Sequence, residues 1–462
     1  MSGDTAADRL AAHALDTGRA DLPDAAWGAV DDHLVDWVGL VLAGEAVAES
    51  SPSVVDAVDA LTTPVAADGR GATVLPTGEQ VAPDRAALLN GTFAHSLDFD
   101  DTHRASSLHP GAPVIAAALA VAETVEAPVD ELRTAIAVGY DVACAVGRAV
   151  TPEAHYARGF HITATCGTFG ATAAAGRLRG LDREELASAF GVNGSQAAGS
   201  LQFLENGAWN KRLHPGLAAS RAVLASELAA NGFVGAAEPL AGEDGFLNGY
   251  SDDPDPSLLD DLTPGRALEE TALKPYPCCR YTHAAIDALL EVAEGIDADD
   301  VESIHVELPE SGVRLTGDPI DAKRRPDNFV DCQFSMPFVG ALALTEGDAG
   351  LPAFLDAQDH LDDAGLRRLM DATTVEASDR TRERFPEIWA ADVTVETPDG
   401  DYERFVEYAR GEPESPLGRD AVDRKFRDLA VTAGSDDDAI EAALAACRGD
   451  GTLYDALREL SA

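Results

Sequence analysis

Between His95 and Gly111 the chain reads HSLDFDDTHRASSLHPG, with three carboxylates (Asp98, Asp100, Asp101) and three histidines (His95, His103, His109). Imidazoles titrate near neutral pH, so they can take a proton from carbon or return one, and a neighbouring carboxylate can orient the ring. Three more motifs carry related chemistry. GFHITATCGTFGAT sets His161 ahead of a Gly-rich helix start whose backbone N–H groups can face an anion. NGAWNKRLHPGLAA places Lys211, Arg212 and His214 just before a Pro-Gly helix start. In LKPYPCCRYTHAAID, Pro275 and Pro277 hold Lys274 extended, and Arg280, Tyr281 and His283 follow.

Charge gives these cations weight. The 462 residues include 81 Asp and Glu against 34 Lys and Arg, a net charge of −47, which repels nucleic acid and anionic membrane surfaces. Neither is an expected partner. Lysine occurs only at 211, 274, 323 and 425, so two of the four fall in the motifs. An acidic protein that handles a di- or tricarboxylate must concentrate positive charge locally, and Lys211, Arg212, Lys274 and Arg280 are the available clamps. They would also stabilise an enolate-like intermediate. The acidic, lysine-poor composition suits a salt-rich cytosol, where screening offsets self-repulsion. Taken alone, Asp98, Asp100 and Asp101 also suit a solvated acidic turn.

The elements that must position these residues are mostly helices. Pro23 and Pro83 open helical runs, and Trp27, Val30, Leu34, Val35, Val38 and Val41 keep helical spacing on a core face. A short β-like insert, GATVLPTGEQVAP, precedes the acidic loop. Ala- and Gly-rich helical runs then continue to about residue 235, with almost no strand signal. From about 264 the character changes: VESIHVELP alternates as a strand, and ADVTVETPDGDYERFVEYA reads as two strands joined by a Pro-Asp-Gly turn. QFSMPFVGALALTEG and the segment around 366–370 read as helices. The expected fold is mainly α: a large all-helical domain over 1–266, completed by C-terminal helices at 415–462, with a smaller α+β lid domain over 267–414.

The six cysteines show no C-x-x-C spacing, the N-terminal stretch lacks the basic and apolar regions of a secretory leader, and no apolar run reaches membrane-spanning length. The expectation is a soluble, cytoplasmic protein with reduced thiols. Vicinal Cys278 and Cys279 fit a structural role better than thiol chemistry.

DFDDT followed by HPG, GFHITATCG, the Lys211 motif and KPYPCCRYTH, in this order, resemble the MmgE/PrpD family over most of the chain. That resemblance implies a helical domain with a smaller lid, a homodimer, and lyase or isomerase chemistry on a small-molecule carboxylate without metal or organic cofactor. It puts Asp98, Thr102, His109, His161, Lys211 and Lys274 in an active cleft between the domains. Asp98 and Thr102 would orient His109 or bind a substrate hydroxyl, His109 and His161 would be the acid and base, and the two lysines would neutralise carboxylates. Arg212, Arg280 and His283 are added as substrate-binding candidates; Asp100, Asp101 and His103 are read as structural.

Within the family, the expected reaction is dehydration of a β-hydroxy tricarboxylate such as 2-methylcitrate, as in propionate catabolism. Decarboxylation of cis-aconitate and epimerisation of iminodisuccinate are the alternatives. Phe338, aligned with an active-site tyrosine, counts against the decarboxylase because a proton-donating hydroxyl is lost. Two rivals lie outside the family: an all-α lyase holding Mg²⁺ through DFDD, and a non-enzymatic acidic binding scaffold. Neither explains the motif lysines.

Overall fold

The computed structural model describes residues 5–61, 71–205 and 207–460. The first four residues of the N-terminal stretch and Asn206 of the Lys211 motif lie outside them. The chain is mainly α and forms two compact units, residues 1–272 with 419–462, and residues 273–418.

In the larger unit, Thr5 caps α1 (Ala6–Asp16) through a capping box with Asp8. Pro23 precedes α2 (Asp24–Val47), which runs on to α3 (Ser51–Leu61). The β-like insert is a small antiparallel pair, β1 (Ala72–Thr73) and β2 (Gln80–Val81). Pro83 then occupies the first position of α4 (Pro83–His95), where its missing N–H costs nothing. Beyond the acidic loop, which contains β3 (Thr102–His103), come α5 (Gly111–Val125), α6 (Val129–Ala149), α7 (Pro152–Ala157), α8 (Ile162–Arg179), α9 (Arg183–Gly194) and α10 (Asn210–Ala230).

The Pro-Gly at 215–216 does not start a helix, as the sequence suggested; it sits inside α10, so Lys211, Arg212 and His214 are in the helix's first turns. Gly216 accounts for its presence. A Cβ there would fall 2.2 Å from the Leu88 carbonyl oxygen, so α10 crosses α4 with their backbones almost touching. That crossing brings the start of α10 toward the end of α4.

The late helix Arg419–Thr432 packs on α2. Its Lys425 is buried, with Nζ 2.6 Å from Asp36 and donating to the Phe99 carbonyl at 2.9 Å, above the Phe99 ring. One of the four lysines therefore fastens the acidic loop to the C-terminal helices.

The smaller unit is built on a four-stranded sheet in the order β6 (Thr373–Ala377), β5 (Ser303–Leu308), β7 (Ala391–Thr397), β8 (Gly400–Val406). β5 runs parallel to β6 and antiparallel to β7, and β7–β8 is the hairpin marked by Pro-Asp-Gly. Ile304, Val306, Leu308, Val393 and Val395 alternate inward onto helices His283–Ala293 and Met336–Glu346. Phe338 belongs to this core: it is fully buried and packs edge-on against Phe354, with ring centroids 5.2 Å apart. The argument that a hydroxyl missing at 338 decides the reaction loses its basis.

Candidate active site

The acidic loop is pinned before it presents anything. Asp101 accepts from the Tyr140 hydroxyl at 2.6 Å and the Gly111 backbone N–H at 3.1 Å, and its carboxylate lies 3.0 Å from His33 Nδ1. A buried carboxylate satisfied on both oxygens is a structural anchor. Thr102 is fixed by the pairing of β3 with β4 (Thr271–Ala272). His103 turns to Ser106 at 2.7 Å and Glu270 at 3.5 Å.

The remaining loop residues meet α4, α8 and α10. His109 Nδ1 lies 2.7 Å from the Asp101 carbonyl oxygen and 3.3 Å from Thr102 Oγ1, and the His109 backbone N–H donates to Thr163 Oγ1 at 3.1 Å. Donation of Nδ1–H to a carbonyl leaves Nε2 as the proton-accepting nitrogen. Asp100 bridges two imidazoles: Oδ2 is 2.7 Å from His95 Nδ1, and Oδ1 is 3.4 Å from His109 Nδ1. His95, at the end of α4, has its ring edge-on to His109 and stacked over His161, with centroids 4.9 and 5.8 Å away.

His161 takes the cap position of α8, and its Nδ1 lies 3.0 Å from His214 Nδ1 on α10, so one of the two must carry the proton. Gly199 lets its segment pass close to α8 beside this pair: a Cβ there would come within 2.5 Å of Ala164 Cβ. Lys211 donates to Asp98 Oδ1 at 2.7 Å. Asp98 itself has φ +51°, a left-handed conformation that aspartate tolerates better than most residues and that turns its carboxylate toward α10.

Burial sets the protonation state of the inner rings. His161 is held well below the usual histidine range, first by desolvation and then by the neighbouring His95, Lys211, His214 and His109, which act in the same direction. His214 is lowered to about 4, again mainly by desolvation and then by His95. Both are neutral at pH 7. The side chains of Asp98, His109 and Lys211 keep 11, 13 and 27% of their exposure, against 0 and 2% for His95 and Asp100, so the former three are the ones a small molecule can reach.

The larger unit thus gathers Asp98, Thr102, His109, His161 and Lys211. It adds His95, Asp100 and His214, which sequence reasoning left out of the site. Arg212 is buried and donates to Ser50 Oγ at 3.3 Å. Lys274, Arg280 and His283 belong to the smaller unit. There the Lys274 ammonium lies 3.5 Å from the Cys278 carbonyl, and His283 Nε2 lies 3.2 Å from the same oxygen beneath Tyr276. Arg280 donates from Nε to Glu412 at 2.7 Å and stacks over Trp389, which neutralises its charge within that unit. All six cysteines are buried, and burial raises Cys144, Cys166, Cys332 and Cys447, against nucleophilic use. Among the described residues, the group able to hold a metal ion is His95, Asp100 and His109. No single described helix is long and apolar enough to cross a membrane.

A helical unit that gathers imidazoles, carboxylates and an ammonium, joined to a smaller α+β unit, has the build of an acid–base lyase. Residues 8–259 match the MmgE/PrpD N-terminal domain and residues 276–448 the MmgE/PrpD C-terminal domain, so the chain belongs to the MmgE/PrpD family. Among its relatives, the cis-aconitate decarboxylase of Aspergillus terreus is 24% identical over 380 residues, 77% of this chain and 76% of that protein. The cis-aconitate decarboxylase-like protein oryM of Aspergillus oryzae is 27% identical over 382 residues, 78% of each chain. Human cis-aconitate decarboxylase is 25% identical over 366 residues, 75% of this chain and 73% of its own.

Proposed function

We propose that this member of the family is a hydro-lyase acting on a small β-hydroxy di- or tricarboxylate of the 2-methylcitrate type. The observation that supports it is the neutral state of the buried His161–His214 pair beside the more accessible His109. A neutral imidazole accepts a proton, and dehydration begins by moving a carbon-bound proton, next to a carboxylate, onto a base. The electron pair released at carbon forms the alkene as the hydroxyl leaves with a second proton as water. Lys211 would neutralise a substrate carboxylate and the charge that develops on it, with Asp98 holding the ammonium in place. Lys274 is proposed as a further carboxylate ligand. Imidazoles and ammonium groups supply the acid, the base and the electrostatic stabilisation in this scheme.

A second reading, decarboxylation of cis-aconitate, is favoured by the names of the relatives, and the core position of Phe338 removes the argument against it. It would use the same residues in the opposite protonation state: an imidazolium gives its proton to carbon as the carbon–carboxylate bond breaks and carbon dioxide leaves. Purified protein in molar KCl separates the two. Formation of an ultraviolet-absorbing alkene from 2-methylcitrate, without carbon dioxide release from cis-aconitate, supports the hydro-lyase. Rapid carbon dioxide release without action on hydroxy acids overturns it in favour of the decarboxylase. Inertness toward both moves the assignment to epimerisation of an amino-acid-derived dicarboxylate.

A further inference from the structure

Three of the four lysines have partners within their own unit: Lys211 pairs with Asp98, Lys274 lies against the Cys278 carbonyl, and Lys425 is fastened to Asp36. The fourth does not. Lys323 closes the short helix Ile320–Lys323 of the smaller unit, and among the described residues its ammonium makes neither a hydrogen bond nor an ion pair, although the residue is half-buried. The two cations that follow it are committed: Arg324 donates to the Thr373 carbonyl, and Arg325 reaches both carboxylate oxygens of Asp371. In a chain with 81 acidic residues against 34 basic ones, an ammonium that is partly desolvated and still unpaired carries a cost that an anionic ligand would offset.

The hydrogen bonds around Lys323 lead to the Lys274 motif. The Cys279 backbone N–H donates to the Gln333 carbonyl at 2.9 Å, Gln333 Nε2 donates back to the Pro277 carbonyl at 3.1 Å, and Ser335 Oγ donates to the Lys323 carbonyl at 2.6 Å. Residues 274–279, the 333–335 turn and the end of the short helix are therefore tied together. Burial pushes the Lys323 ammonium below the usual lysine range, and Cys279 is the foremost titratable neighbour acting the other way, ahead of Asp331 and Asp318. Asp331 is engaged elsewhere, accepting from the Asn328 side chain at 2.8 Å. We propose that Lys323 is a carboxylate-binding residue that makes the smaller unit, with Lys274, a two-ammonium site for a polycarboxylate and sets a preference for three carboxylates over two. The role rests on the polycarboxylate chemistry proposed for the protein, but not on which bond is broken, since 2-methylcitrate and cis-aconitate both carry three carboxylates. Lys211 and Lys274 answer two of them, and Lys323 supplies the third cation. A compact charge on a flexible stem suits that task.

The test is calorimetric titration of the full-length chain with propane-1,2,3-tricarboxylate and with glutarate, which lacks the middle carboxylate, in molar KCl, where distant charges are screened within about 3 Å. Lys323→Met removes the charge and keeps the stem; Lys323→Gln serves if circular dichroism shows the first variant misfolded. Arg325→Met, which removes a neighbouring exposed charge, is the control. The wild-type chain should prefer the tricarboxylate. Lys323→Met should weaken that ligand by about tenfold to a hundredfold, the range for one charge-assisted contact, and leave glutarate and the control unchanged. With 2-methylcitrate as substrate, KM should rise while kcat holds, as for a contact made equally in ground and transition states. Weakened tricarboxylate binding without turnover of 2-methylcitrate supports the role of Lys323 and overturns the hydro-lyase alone. Unchanged tricarboxylate affinity in a folded Lys323 variant, or an equal loss in Arg325→Met, overturns the role even where turnover is seen, and a wild-type chain that binds neither acid overturns both.

Discussion

The Lys211 ammonium lies 2.7 Å from Asp98 Oδ1, and Asp98 reaches it from a left-handed backbone, φ +51°. A non-glycine residue in that region is held by its surroundings, and at a reachable ion pair such strain suits a fixed charge that awaits a ligand. Lys211→Ala should therefore lower kcat/KM by about tenfold to a thousandfold, the range for losing one charged partner. Lys211→Arg should not restore it, because a planar fork does not replace a point charge. Lys274→Ala is expected to cost about 2 to 5 kcal/mol, roughly thirtyfold to several-thousandfold, if its carboxylate partner is desolvated. Wild-type kinetics in either alanine variant would remove that lysine from the site.

The acidic limb of the activity profile reports the base. His161 is neutral far below the usual histidine range because it is desolvated and faces positive charge. If it is the base, kcat/KM should hold on acidification through pH 6.5 and fall only well below it. A limb centred near 6.5 would shift the role to a more solvated histidine.

Acid should also destabilise the fold. His155, wedged between the Tyr250 carbonyl and Thr165 Oγ1, is lowered to about 4 by burial, as is His214. Unfolded, both titrate near 6.5, so between about 6.5 and 4 the unfolded chain binds more protons and stability rises with pH. Their full contribution, about 3 kcal/mol each as an upper figure, is present above 6.5 and lost as pH falls toward 4. Melting temperature against pH checks this; a flat profile across that interval would contradict it.

The parts of this architecture legible from sequence were the locally determined ones. Pro23 and Pro83 mark helix starts by fixing φ, and Pro-Asp-Gly marks the β7–β8 hairpin by its turn geometry. β6 was missed because its five residues follow a helix directly and have their face set by parallel pairing with β5, a non-local contact. The same division runs through the site. His109, His161 and Lys211 stand in motifs that advertise themselves. The hub role of His95 and its link through Asp100 to His109 depend on how α4, α8 and α10 cross, which no local pattern encodes. The i, i+5 spacing of His95 and Asp100 was the available clue. Within DFDD, Asp98, Asp100 and Asp101 have three different partners, and only the tertiary fold tells the lysine ligand, the histidine bridge and the loop anchor apart.

Salt should matter as much as acid. With a net charge of −47 over 462 residues, repulsion is screened over about 3 Å at molar salt but extends to about 10 Å at a tenth of that. Dialysis from molar KCl into dilute buffer should lower the melting temperature and loosen the fold; unchanged stability there would count against adaptation to a salt-rich cytosol.

In the proposed reaction, imidazole and ammonium groups alone would carry out proton transfer on a polycarboxylate. Its most direct test is water loss from 2-methylcitrate, followed by mass spectrometry, with EDTA present throughout. Turnover by the wild-type chain is expected, with a fall of about a hundredfold or more in His109→Ala and His161→Ala. Activity abolished by EDTA and restored by Mg²⁺, or histidine variants as active as the wild type, would contradict it.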